Sequence, residues 1–375
     1  MTGTYIDGIG ITKMGKREEG LVPLLAEAGR RALDACGDRR PDALYVGCFE
    51  PGGFEGIGNL PSKVATELGL AGIPLVRIEN STASGASVFM HACIGVRSGT
   101  FQNVLAIAGE RMTGLDAKGA ARVLTSILTP EEVRTGVSMP GMAAMVTRRY
   151  MHLHGLTEEV LALVPVKAHA NGALNPIAQF QKPITVEQVF ASKMVASPLR
   201  LYHCAPLTDG AAAAMVTSRS GPVQVKGFGN VSDIVDVKFK ERLDAFGVTI
   251  ETAKMAFKMA GLGPKDIDVA ELHDAFSVLE IIHSEDVGFF KKGEGWKALK
   301  KGETQLNGSI PINTSGGLKA RGHPIGGTGL AQICEVFTQL TGQAGKRQVD
   351  PHRRGFTLNL GGFATNNVAH IFEAR

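Results

Sequence analysis

Several features are scarce in this 375-residue chain, and each scarcity excludes something. No C-x-x-C pair occurs. Cys36, Cys48, Cys93, Cys204 and Cys334 are scattered, which argues against a metal centre and suits a reducing compartment. No apolar run reaches 18 residues, so no membrane span is expected. The opening stretch, MTGTYIDGIGITKMGKREEG, lacks the basic-then-apolar order of a signal peptide, and the cytoplasm is the expected location. No Lys/Arg block is interleaved with aromatics, and the formal charge is only +4. A nucleic-acid partner is therefore not expected, although a mild positive excess suits an anionic small molecule.

What is present reads as globular: 44% hydrophobic residues, 20% charged and 47 glycines. The chain also repeats itself. LLAEAGRRALDACGDRRPDALYVGCFE, from Leu24, runs helix, turn, strand. TAKMAFKMAGLGPKDIDVAELHDAF, from Thr252, follows the same plan, with Asp42 and Asp268 each just before the strand. Later, SGASVFMHACIGVRSGTFQNVLAIAGE and GGTGLAQICEVFTQLTG…GFTLNLGG are both Gly-opened helices followed by strands. Two similar α/β halves predict two packed sheets with helices shared between them.

The composition changes between the halves. Residues 113–205 read as short helices and loops, with Thr129 and Thr157 placed to N-cap two of them. That is too long for a passive connection, so it is expected to be an inserted loop domain covering a site. The expected organisation is 1–112 as the first part of the N-terminal half, 113–205 as the loop domain, 206–225 as a return strand and 226–375 as the C-terminal half.

The stretch ENSTASGAS, residues 79–87, reads as a turn from a strand into a buried helix. A helix N-terminus there would favour a reactive anion, yet the stretch has no cysteine. Thr82 is either a nucleophile needing an immediate base, or a small polar filler that caps the turn.

Four segments then point one way: ENSTASGAS, HDAF (273–276), GGLKARGHPIGGTG (316–329) and NLGGFATNNVAHIF (359–372). In this order they resemble the thiolase superfamily, and within it the sterol-carrier-protein and archaeal branch. HANGALNPIAQFQKPITVEQV and LRLYHCAPLTDGAAA are similar to that branch's loop domain and return strand. The resemblance covers nearly the whole chain. It implies a thiolase-like α/β fold, five layers α/β/α/β/α built from two duplicated halves. It also implies an acyl-CoA substrate, so coenzyme A is the expected ligand, and a homodimer. A small zinc-ribbon/OB-fold subunit is a further partner that the branch implies.

The resemblance carries over unevenly. The family's nucleophilic cysteine falls at Thr82, its second cysteine in a C-x-G turn falls at Asn359, and a third, in an HDCF motif, falls at Ala275. All three positions are empty of sulfur. Cys93, eleven residues past Thr82 on one helix, is about 16 Å from it and reads as core. Cys204 is a weak stand-in. By the resemblance, His273 orients a water or the thioester oxygen, and His323 serves the nucleophile and an oxyanion hole. The backbone N–H groups of Thr82 and Gly361 form a second such hole. Ser315, Gly316 and Lys319 are placed near the CoA arm, although Lys319 reads equally as a surface charge. Gly326, Gly327 and Gly329 allow close approach, either to a ligand or between helix and sheet.

A site that keeps the oxyanion hole without the thiolate can still stabilise a thioester enolate. Retro-aldol cleavage of a 3-hydroxyacyl-CoA fits, with His323 or His273 as base. Thiolase-type acyl transfer and a non-catalytic acyl-CoA-binding subunit are the alternatives. Tyrosines, on which thiolase-like aldolases rely, are absent from the motifs: Tyr5, Tyr45, Tyr150 and Tyr202 all lie outside them.

Overall fold

One plan is used twice. The computed structural model describes residues 3–37 and 39–375. The first half runs β1 (Tyr5–Ile11), α1 (Leu21–Ala35), β2 (Ala43–Gly47), β3 (Leu75–Ile78), α2 (Ser84–Arg97), β4 (Asn103–Glu110) and β5 (Gly210–Thr217). The second runs β6 (Val223–Ser232), α3 (Gly247–Ala260), β7 (Val269–Glu271), α4 (Thr328–Leu340), β8 (Arg354–Gly361) and β9 (Asn366–Ala374). In the first half β1 is antiparallel to β5, β5 antiparallel to β4, and β4 parallel to β2. In the second, β6, β9, β8 and β7 repeat those relations in that order. The partner that β3 gives β2 shrinks in the second half to a single parallel bridge between Ala270 and Ile312.

The two aspartates singled out in the sequence are equivalent down to their atoms. Asp42 Oδ2 accepts from the N–H groups of Gln102 and Asn103 at 2.8 and 2.9 Å. Asp268 Oδ2 accepts from those of Arg353 and Arg354, both at 2.8 Å. Each carboxylate ties the entry of one strand to the start of its parallel neighbour.

Helix α1 packs on β1 and β5, and α3 on β6 and β9. Helices α2 and α4 pack on each other and on strands of both halves, which makes the expected five layers. One difference concerns the sheets. Tyr5 and Ile6 of β1 pair with Gln224 and Val223 of β6, so hydrogen bonding runs unbroken through nine strands, β3-β2-β4-β5-β1-β6-β9-β8-β7. β1 and β6 are the inner edges of the two halves, and an unpaired edge leaves N–H and C=O groups to satisfy.

The two central helices touch at glycine. A Cβ on Gly85 would fall 2.8 Å from the Gly326 carbonyl oxygen, and one on Gly329 2.5 Å from the Ala86 nitrogen. A Cβ on Gly327 would fall 2.8 Å from Gly109 Cα. These glycines thus serve backbone packing rather than a ligand. Cys93 is fully buried in α2 among core residues, as its position suggested.

Between β4 and β5 lie helices Ala117–Leu124, Pro130–Thr135, Met139–His154, Glu158–Gly172 and Val186–Ala191. Thr129 and Thr157 cap two of them, Thr129 in a reciprocal pair with Glu132. Helix Glu158–Gly172 packs on Ser277–Asp286 and on the turn Gly317–Ala320, so this segment lies over the second half. β5 lies within 206–225, and residue 225 falls inside β6, which pairs with β9 and, at its start, with β1. Among the described residues no helix is long and apolar enough to cross a membrane.

Candidate active site

A cavity of about 170 Å³ lies where the motifs meet. Thr82, His273, Ala275 and His323 line it, with Leu360 and Gly362 from the end of β8 and the turn after it. Met112, Leu124, Ile127, Met139, Phe246 and Phe363 supply an apolar wall. Polar capacity therefore concentrates on the two imidazoles, whose rings stand perpendicular with centroids 5.2 Å apart.

Thr82 occupies the turn between β3 and α2. Ser81 adopts a left-handed backbone, φ 51°, an uncommon state for a residue with a side chain. Asn80 N–H donates to Ser84 Oγ at 2.9 Å, and Ser84 Oγ donates to the Ser81 carbonyl at 2.7 Å, which pins the turn. The Thr82 hydroxyl donates to the Leu360 carbonyl. Among the described residues it contacts no base. An alcohol whose proton is held by a backbone carbonyl is a structural group, not an activated nucleophile.

His323 follows the turn Gly317–Ala320 and Gly322, whose φ is 117°. Its N–H donates to Thr208 Oγ1 at 2.9 Å. The Thr328 hydroxyl donates to the Pro324 carbonyl at 3.0 Å, so towards the ring it accepts, and His323 Nδ1 lies 2.6 Å from it. The neutral ring then carries its proton on Nδ1 and a lone pair on Nε2. Burial, with Arg321 and Lys319 adding repulsion, lowers its pKa to about 3.

His273 follows β7. Asn359 Nδ2 lies 3.0 Å from its Nδ1. An amide nitrogen only donates, so Nδ1 accepts and the neutral ring carries its proton on Nε2. Burial, then the neighbouring His323, holds this pKa well below the usual histidine range. The two rings are thus neutral and of opposite tautomer. Among the described residues neither Nε2 has a protein partner. One offers a donor and the other an acceptor in the same cavity.

Cys204, the weak stand-in, also lines this cavity. Its Sγ turns to the Arg200 carbonyl at 3.8 Å, and burial raises its pKa, an effect the Lys319 ammonium only offsets. It is a thiol at neutral pH, with no base in contact.

Other expected site residues lie elsewhere. Asn359 stands behind His273 rather than on the cavity wall. Gly361 is flanked by the lining residues Leu360 and Gly362 and is not itself a lining residue. Ser315, Gly316 and Lys319, expected near the CoA arm, are all buried, and none is among the residues lining this cavity. Ser315 donates to Glu271 Oε2 at 2.7 Å. A Cβ on Gly316 would fall 2.9 Å from Gly172 Cα. Lys319 Nζ donates to the carbonyls of His203 and Asp274 at 3.0 and 2.7 Å. It is therefore not a surface charge, and it ties the Cys204 wall to the His273 wall. Among the described residues no group of three or more His, Cys, Asp or Glu could hold a metal ion.

Sequence reasoning missed Thr208, Thr328 and Gln332. A signal existed for two of them. In TGLAQICEVFTQL, positions 328, 332, 335 and 339 are polar at helical spacing in a mostly apolar run, and all four side chains are buried. A buried polar stripe must be hydrogen-bonded, so it marks a network.

Comparison with known proteins agrees with this fold. Residues 8–220 match the thiolase N-terminal domain and residues 233–374 the thiolase C-terminal domain-like family. An acetyl-CoA acetyltransferase of Methanothermobacter thermautotrophicus is 40% identical over 383 residues, covering 100% of both chains. Sterol carrier protein 2 of Gallus gallus is 32% identical over 95% of this chain and 69% of its own. A solved structure described as an Ltp2-ChsH2(DUF35) aldolase superposes with a TM-score of 0.85 at 24% identity, over 100% of this chain and 98% of that one. With both of its halves matched and a full-length relative at that identity, this chain belongs to the thiolase superfamily.

Proposed function

We propose that this chain is an acyl-CoA enzyme that stabilises a thioester enolate and uses it to cleave a 3-hydroxyacyl-CoA by a retro-aldol step. The carrying observation is the pair of oppositely protonated imidazoles facing one apolar cavity with no activated nucleophile beside them. His323 Nε2 takes the proton from the 3-hydroxyl group as the C2–C3 bond breaks. Electron density moves to the thioester oxygen, where His273 Nε2–H donates. The backbone N–H groups of Thr82 and Gly361 serve a second carbonyl position. At rest His323 is a weak base, and the enolate charge forming nearby raises its proton affinity as the bond breaks. A cavity of this size accepts a group about as large as benzene, so a short or single-ring acyl fragment fits inside.

Acyl transfer is the second reading, favoured by Cys204 on the cavity wall and by the name of the Methanothermobacter relative. Two assays separate them. Exchange of C2 hydrogens of acetyl-CoA with D2O reports enolate formation. Mass spectrometry after incubation with a panel of 3-hydroxyacyl-CoA thioesters reports the outcome. Aldehyde or ketone release with no protein adduct supports the lyase, whereas an acyl group on Cys204 overturns it. Absence of both exchange and turnover leaves a non-catalytic acyl-CoA-binding subunit.

Two partners belong to this reading. A second copy would pair through β3, an edge strand that among the described residues is bonded only to β2, and on which Leu75 and Val76 are 38% and 41% exposed. A small zinc-ribbon/OB-fold subunit is the other, and co-expression followed by co-purification tests it.

A further inference from the structure

The proton on His273 depends on which way the Asn359 amide faces, because its two ends differ only in oxygen and nitrogen. As placed, Asn359 Oδ1 has no partner among the described residues, so that side of the amide exerts no preference. Its neighbour on α4 does. Gln332 Nε2 donates to the Leu358 carbonyl at 3.2 Å, and a backbone carbonyl can only accept. That bond fixes the Gln332 amide with Oε1 towards Asn359. Oε1 accepts from Asn359 Nδ2 at 3.1 Å, and the same Nδ2 donates its other hydrogen to His273 Nδ1 at 3.0 Å. If the Asn359 amide were reversed, two oxygens would face each other where Gln332 now meets it, in a fully buried place.

We propose that Gln332 is a positioning residue: a relay from the Leu358 carbonyl through Gln332 and Asn359 holds the His273 proton on Nε2, where it faces the cavity. Asn359, at a position where the family resemblance places a reactive cysteine, becomes in this chain a link that sets a tautomer. Thr328, one turn before Gln332 on α4, does the complementary task for His323. One helix face therefore dictates both proton positions. This inference supplies the donor that the enolate reading uses, but its own readout does not require that reading to hold.

The test is nitrogen NMR of protein labelled with 15N-histidine at pH 7, with His273 assigned by difference from His273→Gln. In the wild-type protein, Nδ1 should be the bare nitrogen and Nε2 the protonated one. Gln332→Met keeps the length and removes the amide. His273 should then report both tautomers, and acetyl-CoA C2 exchange should slow about two- to tenfold in kcat with KM unchanged. Gln332→Glu, whose buried acid keeps a donor for Leu358 and an acceptor for Asn359, should restore the single tautomer. A wild-type spectrum with the proton on Nδ1 overturns the relay without any variant. So does a folded Gln332→Met protein with an unchanged His273 spectrum. If the wild-type and variant spectra come out as expected while no acyl-CoA exchanges, the relay stands and the enolate reading fails.

Discussion

At residue scale the site is a division of labour between two identical side chains. Their environments, not their chemistry, make one a donor and the other an acceptor. His323→Ala should lower kcat/KM about 10²- to 10⁴-fold, and steady-state assays check it. Because burial lowers the His323 pKa to about 3, the base is already free at pH 5. The acid limb of kcat/KM, which reports the free enzyme, should lie below pH 5 rather than near 6.5. Thr82→Ala keeps the backbone N–H and loses only a hydroxyl tied to Leu360, so activity should stay within about threefold. Thr82→Cys is the sharper variant: thiolysis gained on that substitution would show that the remaining acyl-transfer geometry is intact.

At element scale the decisive contact is between the N-terminal turns of α2 and α4. It places the Thr82 turn beside the loop that carries His323, and it works because two glycines meet there. Gly85→Ala puts a methyl group 2.8 Å from the Gly326 carbonyl. Overpacking of this kind should cost about 1–3 kcal/mol, read as a lower urea midpoint with an unchanged m-value. The glycines were visible in the sequence, but whether they faced a ligand or a helix was not. The reason is that spacing along one helix does not name the surface it meets. The polar stripe on α4 was equally legible, yet its partners Asn359, Arg347 and Thr314 come from separate parts of the chain.

At the scale of the whole molecule, buried ionisable groups set the response to pH. Burial lowers His203, His283, His323 and His370 each to about 3. The stability gained by keeping them neutral is complete above about pH 6.5, their unfolded value, and is lost as pH falls towards 3. Burial raises Glu110 to about 7 and Asp286 to about 6. These carboxyls act oppositely, losing stability as pH rises from about 4.3 or 3.9, their unfolded values, to the raised ones. With four histidines against two carboxyls, the carboxyls offset only about half of the histidine loss between about pH 4.5 and 6. Below about pH 4 the histidines act alone, at about 1.4 kcal/mol per pH unit each. Urea midpoints should fall moderately from pH 6 to 5 and more steeply below 4. At the same scale, Val76→Lys on the open β3 edge should lower the sedimenting mass if two copies pair there, and leave it unchanged if they do not.

The sequence by itself determined the duplicated α/β plan, the capped helices inserted between the halves, the two histidines and the missing sulfur at Thr82, Ala275 and Asn359. Those follow from local periodicity and motif order, which a linear chain displays. Only the tertiary structure decided that Lys319 and Ser315 are buried ties, that Cys204 faces the cavity, and that the two imidazoles carry their protons on opposite nitrogens. A proton's place on a ring is set by whichever group lies against its far side. For His273 that group is Asn359, 86 residues away, and no pattern along the chain announces it.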